Sequence, residues 1–296
     1  MSFARLLIIV GVVWVLSGCE SPDTARPVRV VASTPTAAAL LQPLLPDTVA
    51  VLMPAGASPH TYAPRPSDAR RAEQALVVHL ADALDGWATD LSAAAHLALF
   101  PLVPDTLQLR APTAVAHEAA HRAAKDPHFW TDPRAVAALI APLADTLCAH
   151  GVAPCGPLQQ RAAQWQARLD TLHRTWQTAL APVAGQPVLL TRPFFRYFLN
   201  RYRIPLAGIV TLRHGVGASP KHLQQLIARA KQLRPCVLFG LPEPPPGAAR
   251  AVLAAASCQW VRLDPLTGGH ERSTYAQLMQ HNVQQVRAAL GAARRP

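Results

Sequence analysis

"GPLQQRAAQWQARLDTLHRTWQTALAPVAG", residues 156–185, decides the fold. Its apolar residues Trp165, Leu169, Leu172, Trp176 and Leu180 step by four, three, four and four, which lines one face of an α-helix. Pro157 suits the first turn, while Pro182 and Gly185 close the segment. The spacing predicts one long helix over 156–182. Working outward, strand-like runs stand on both sides of it. "VRVVAS" (28–33), "VAVLMP" (49–54) and "ALVVHL" (75–80) precede it; "PVLLT" (187–191), "AGIVTL" (207–212), "CVLFG" (236–240) and "WVRLD" (260–264) follow. Short apolar strands alternating with helical stretches indicate α/β architecture with mainly parallel sheets. The expectation is two lobes, residues 28–155 and 183–296, joined by one long bridging helix. No segment repeats in sequence, and the proline-dense "LPEPPPGAA" (241–249) is a stiff loop.

The amino terminus concerns address. Arg5 precedes the apolar run "LLIIVGVVWVL" (6–16), and "LSGC" ends at Cys19. That run is short for a membrane span, and its small-residue ending suits signal-peptide processing. "LSGC" resembles a bacterial lipobox, which implies a signal peptide over 1–18, a lipid on Cys19 and a linker over 19–27. The expected location is therefore periplasmic or cell-surface, with the chain anchored to a membrane.

The formal charge of +11 comes from 28 Lys and Arg, all but three of them arginine, against 17 acids. These basic residues are scattered and no nucleic-acid motif accompanies them, so nucleic acid is not an expected partner. The excess suits proximity to anionic lipid.

Beyond Cys19 the chain has four cysteines, and an even number in an exported protein favours disulfides. Cys148 and Cys155 flank the turn-like "AHGVAP". Cys236 opens one strand-like run and Cys258 precedes another. The expected pairs are Cys148–Cys155 and Cys236–Cys258. A four-cysteine zinc site lacks any C-x-x-C spacing.

Two motifs compete for metal chemistry. "HEAAH" (117–121) has the H-E-x-x-H form, in which His117 and His121 on one helix face grip zinc and Glu118 acts as base on bound water. The longer form needs Gly and His at 124 and 127, where Ala124 and Pro127 stand. A zinc hydrolase is thus the lesser alternative. The other motif is a pair of proline-preceded histidines, His60 in "GASPHTYAPRPSD" (56–68) and His128 in "DPHFWTDP" (126–133). His60 follows a strand, where α/β proteins place ligands beyond the carboxyl edge of the sheet. Proline before each histidine fixes its own backbone angle and so stiffens the loop that carries the side chain. His79 and His96 lie in apolar stretches and suit core or edge roles.

"SPHTYAPRPSD", "DPHFWTDP" and "LDPLTG" (263–268), in that order and split by a long helix, resemble the solute-binding lipoproteins of zinc and manganese ATP-binding-cassette importers. The likeness also covers "ALVVHLADALDGW", "FFRYFLNRYRIPLAGI", "GASPKHLQQLIARAKQLRPCVLFG" and "YAQLMQHNVQQVRAAL". It implies a monomeric binding protein rather than an enzyme. Zinc, or alternatively manganese, would be held in the cleft between the lobes and delivered to a membrane permease. Carried over by residue, it gives His60, His128 and Asp264 as ligands. It places Arg192 where a further histidine or glutamate is expected, and arginine has no lone pair to donate. Three arrangements follow. Arg192 turns away and water completes the site; or His214 substitutes; or Arg192 pairs with Asp264 and the cleft serves a metal-free binding protein. The resemblance makes His117 and His121 part of a shortened histidine-bearing loop that either collects metal weakly or is simply solvated. Tyr62, Phe129 and Trp130 are expected to wall the cleft, and Asp132 to fix the tautomer of a ligand histidine, a role usual for carboxylates near metal-bound imidazole.

Overall fold

Successive strand residues point to opposite faces of a sheet, and here both faces are apolar, so each sheet needs cover on both sides. Val31 and Val77 belong to one buried cluster while Ala32 and Val78 belong to another. The structure, a computed structural model, describes residues 28–112, 124–212, 217–265 and 274–291. The signal segment 1–18, the linker 19–27, Cys19, His117, Glu118, His121 and His214 lie outside the described residues.

The first lobe holds β1 (Arg29–Ala32), α1 (Pro35–Leu41), β2 (Ala50–Val51), α2 (Pro66–Ala72), β3 (Ala75–His79), α3 (Asp82–Asp85) and β4 (Ala95–Ala98). Then come α4 (Pro133–Ala149) and the 26-residue α5 (Cys155–Leu180). The second lobe holds β5 (Val188–Leu190), α6 (Arg196–Arg201), β6 (Leu206–Ile209), α7 (Pro220–Ala230), β7 (Val237–Gly240), α8 (Gly247–Ala256), β8 (Gln259–Arg262) and α9 (Tyr275–Gly291). All strand pairs are parallel, in the orders β2-β1-β3-β4 and β6-β5-β7-β8. The two lobes thus repeat one topology without any repeat in sequence. In each, the strand order reverses beside the first strand, where loops diverge and leave a crevice.

β4 was not among the sequence-derived strands. It is an edge strand with His96 exposed, so it carries no continuous apolar run. The long helix buries Leu158, Ala162, Trp165, Leu169, Trp176 and Leu180, and it spans about 39 Å at 1.5 Å per residue. It is tied at both ends of the molecule: Gln166 Nε2 donates to the Ala137 carbonyl of α4 (2.9 Å) and Trp176 Nε1 to Gln280 Oε1 of α9 (2.7 Å). One apolar core runs from Leu76 and Val78 through α4 and α5 to Leu190 and Phe239, so the lobes share an interior.

Both expected disulfides are present. Cys148–Cys155 clamps the α4–α5 turn, and Cys236–Cys258 joins the starts of β7 and β8, beside the Gln259 N–H bond to the Cys236 carbonyl.

Gly240 ends β7 beneath the ring of Trp260, which a Cβ there would strike. Gly240→Ala is expected to lower stability by about 1–3 kcal/mol, the usual cost of overpacking, read as a shift of the denaturant midpoint. An unchanged midpoint would mean that the indole moves aside freely.

Candidate metal centre

The carboxyl edges of both sheets face one cleft of about 720 Å³. From the first lobe it is lined by the segment Gly56–His60, by Leu80 and Leu84, and by Asp126, His128 and Trp130; from the second by Thr191, Arg192, Leu212, Leu241 and Trp260.

His60 sits in a turn after β2 that is pinned on both flanks. Trp87 Nε1 donates to the Pro59 carbonyl (3.0 Å), and Tyr62 packs edge-on against Trp87 with ring centroids 4.9 Å apart. The Tyr62 hydroxyl donates to Asp68 Oδ2 (2.6 Å). Burial and that carboxylate push the Tyr62 phenol up to about 12, so it stays a donor. The ends of β1 and β3 are held by Asp85, fully buried, whose carboxylate accepts from Ser33 Oγ and from the Leu80 and Ala81 N–H groups.

His128 is 8% exposed, and its Nδ1 lies 2.6 Å from Asp126 Oδ1. Asp126 is 1% exposed; it also accepts from the His128 N–H (3.1 Å) and from Arg196 (2.8 Å). Burial alone would push the Asp126 carboxyl up. The charge of His128, the hydrogen bonds it donates and the Arg196 guanidinium together pull it below the usual carboxylate value. When the imidazole is neutral, an ionised Asp126 accepts its Nδ1 proton, and that tautomer leaves Nε2 with its lone pair.

The His60 and His128 rings have centroids 5.9 Å apart at 53°. Two imidazoles on one tetrahedral zinc, each with Zn–N of about 2.0–2.1 Å, place their centroids about 5 Å apart. The pair is therefore within about 1 Å of a shared-ion geometry.

The remaining expected groups fare differently. Asp264, just past β8, is fixed through its backbone: its N–H donates to Asn282 Oδ1 (2.9 Å) and its carbonyl accepts from Asn282 Nδ2 (2.6 Å). It is buried and is not among the residues lining the cleft, although Pro265 is. Among the described residues no group of three or more His, Cys, Asp or Glu is gathered as an ion would require. The Arg192–Asp264 pair of the metal-free arrangement does not form: Arg192 makes no hydrogen bond or ion pair among the described residues.

Asp132 is corrected. It does not touch a ligand histidine; it caps α4 through the Arg134 N–H (2.9 Å) and takes a two-point bond from Arg201 at 2.8 and 2.7 Å. The carboxylate that meets the His128 ring is Asp126, two residues before it in the same "DPH" triplet. A carboxylate at that offset reaches the ring across a tight turn, a local signal that the sequence did contain. Of the three aromatic residues, only Trp130 lines the cleft. Phe129 is core, and Tyr62 supports the His60 turn. His79 is buried with Nε2 2.7 Å from Asp82 Oδ1.

Further bonds close the base of the cleft across the lobes. Trp130 Nε1 donates to the Pro265 carbonyl and Tyr275 Oη to the Trp130 carbonyl, both at 2.9 Å, while Tyr197 Oη donates to the Asp126 carbonyl at 2.8 Å.

Replacing Asp126 with asparagine is expected to weaken zinc binding about 10- to 100-fold, the usual cost of losing a carboxylate behind a ligand histidine. The same change alters the acid limb of stability. A depressed folded-state carboxyl contributes stability that is fully present above its unfolded value near 4 and is lost as pH falls through the lower folded value. Asp126→Asn should therefore flatten the stability profile below about pH 4, checked by denaturant unfolding across pH.

A family described as the periplasmic component A of the zinc-uptake complex matches residues 30–289. A putative metal-binding protein of Thermotoga maritima is 27% identical over 254 residues, 85% of this chain and 88% of that protein. The metal ABC transporter substrate-binding lipoprotein SloC of Streptococcus mutans is 24% identical over 237 residues, 76% of each chain. Among solved structures, the solute-binding protein FpvC of Pseudomonas aeruginosa in complex with Mn2+ superposes with a TM-score of 0.76 at 20% identity, covering 90% of this chain and 100% of that one. At that identity the likeness shows the fold.

Proposed function

The chain belongs to the family of periplasmic zinc-uptake components, and from that premise we propose that it captures one divalent transition metal, zinc first, between His60 and His128 and passes it to the permease of an ABC-type importer. The family is one of solute-binding proteins, so its work is capture and release rather than turnover. The observation that carries the reading is the pairing of two imidazoles from separate loops at the joint carboxyl edges of the sheets, one of them already set in the ligating tautomer by Asp126. Neutral imidazole, a borderline ligand, favours zinc over the hard cations that prefer all-oxygen sites.

Two histidines do not complete a zinc site. Asp264 and His214 are the proposed further ligands, with water as the alternative, and metal entry is proposed to bring one of them to the pair. The bound ion would lie near a fixed positive charge: a guanidinium about 4 Å from a cation adds about 4 kcal/mol per unit of metal charge at an effective dielectric near 20. Arg192 must stand further off, or be compensated.

The SloC likeness and the "LSGC" ending support anchoring through Cys19 at the outer face of a membrane, where a permease is within reach. No described helix is long and apolar enough to cross a membrane. The shared core and the cross-lobe bonds favour capture with little lobe motion.

The test is metal content after purification and titration with zinc and manganese salts. One zinc per chain, displacing manganese and released as pH falls because protons compete for the imidazoles, is the expected result. No saturable zinc binding at neutral pH would reject the assignment.

A further inference from the structure

The cleft is large and mixed in chemistry for a bare ion. An ion with six waters takes about 200 Å³ at about 30 Å³ per water, whereas the cleft measures about 720 Å³, within the range of about 300–1,000 Å³ typical of sites for organic ligands. Its second-lobe wall carries Phe194, Leu212, Leu241 and Trp260, apolar surface that a hydrated cation does not need.

That wall also carries polar groups awaiting an acceptor. Arg192 lines the cleft from the end of β5 and has no hydrogen-bond or ion-pair partner among the described residues. Thr191, 4% exposed, and Thr211 flank it, held together by the Thr211 N–H bond to the Thr191 carbonyl, and neither hydroxyl has a partner among the described residues. The acids lining the cleft do not satisfy Arg192. Asp126 is engaged by His128 and Arg196, and Glu243 stands exposed on the proline-rich loop with no ion pair among the described residues. Among the described residues, the first-lobe wall thus offers imidazoles and no gathered set of three ligands, while the second-lobe wall offers a guanidinium fork and two hydroxyls.

We propose that the cleft takes its metal as a chelate with a small organic carboxylate, the cation on His60 and His128 and a carboxylate of the chelator on Arg192. This deepens the metal-capture reading and rests on it. The carboxylate supplies what both walls lack. Its oxygens take the coordination places that water would otherwise fill beside the protein ligands, and a further carboxylate of the chelator accepts the two-point bond for which a guanidinium is shaped. The anion also lies between two positive charges that would otherwise repel. The apolar wall accommodates the carbon skeleton.

The experiment is calorimetric titration of the purified protein with zinc chloride alone and with zinc plus excess citrate or L-histidine, with native mass spectrometry of the products, on native protein, Arg192→Ala and His60→Ala. The expected result is that at least one chelator strengthens zinc binding tenfold or more and is retained in the mass spectrum only together with zinc. Arg192→Ala should abolish that gain while binding zinc alone at least as tightly as native protein, and His60→Ala should lose zinc in every condition. If both chelators only compete, weakening zinc equally in native protein and Arg192→Ala, while His60→Ala still loses zinc, the chelate proposal fails and metal capture stands. If zinc fails to bind with or without chelator, or binds equally well to His60→Ala, both fall together. Chelator bound without zinc through Arg192 would overturn the proposal in favour of a plain anion receptor.

Discussion

His60→Ala and His128→Ala are each expected to weaken zinc binding about 100- to 1,000-fold. A four-ligand zinc site is worth about 10–16 kcal/mol near neutral pH, so one ligand represents about 3–4 kcal/mol, and each 1.4 kcal/mol is tenfold. The two variants should differ in stability. His60 is exposed in a turn secured by Trp87 and Tyr62, so its loss leaves the fold intact. His128 is buried, and its removal deprives Asp126 of the imidazole hydrogen bond, leaving the backbone N–H of residue 128 and Arg196 to hold a buried carboxylate; about 1–3 kcal/mol of stability should go with it. Competition titrations against a chromophoric chelator, paired with denaturant unfolding, separate the effects. Unchanged affinity in His60→Ala would remove His60 from the site.

Asp132→Ala shows the reverse pattern: a loss of about 3–5 kcal/mol of stability with zinc affinity changed less than in Asp126→Asn. Asp132 is 3% exposed and serves two structural ends. It caps α4, worth about 0.5–2 kcal/mol. It also takes both bonds of the Arg201 guanidinium, and breaking a buried pair from one side costs about 3–5 kcal/mol because the other charge stays behind. Arg201 keeps some contact with water, which screens the pair and holds the total to that range rather than their sum. Because this bond links the approach to α4 with α6, the loss should appear as one cooperative transition at lower denaturant. If Asp132→Ala instead lost zinc binding at unchanged stability, its bonds to Arg201 and to the start of α4 would not be structural supports and the roles given to Asp126 and Asp132 would be exchanged.

The assignment of these two acids marks where the sequence stops being readable. "DPHFWTDP" presents Asp126 and Asp132 on either side of one histidine, and nothing in residue type separates them. Backbone direction does. The Asp-Pro-His turn folds Asp126 back onto the His128 ring, whereas the short turn Phe129–Thr131 carries Asp132 to the start of α4, where unpaired helix N–H groups and Arg201 claim it. Arg192 is similar. Its position after "PVLLT" placed it at the cleft, but whether it pairs with Asp264 depends on how the ends of β5 and β8 are oriented, and Asn282 holds the Asp264 backbone in a way no local pattern reveals.

What the sequence by itself determined is whatever depends on periodicity and chain order. Short continuous apolar runs made the parallel strands, the four-and-three spacing from Trp165 to Leu180 made the bridging helix, and the cysteine positions beside a turn and at two strand starts set both disulfides. Burial of apolar side chains imposes those patterns locally, so they can be read locally. The tertiary structure alone decided the identical strand order of two lobes unlike in sequence, the meeting of His60 with His128, the choice of Asp126 over Asp132, and the isolation of Arg192 on the opposite wall. Each of these turns on the direction of a polar side chain across a gap between distant segments. Hydrogen bonds and charges choose partners by distance and angle after the core has formed, so residue order leaves several partners open until the packed backbone selects one.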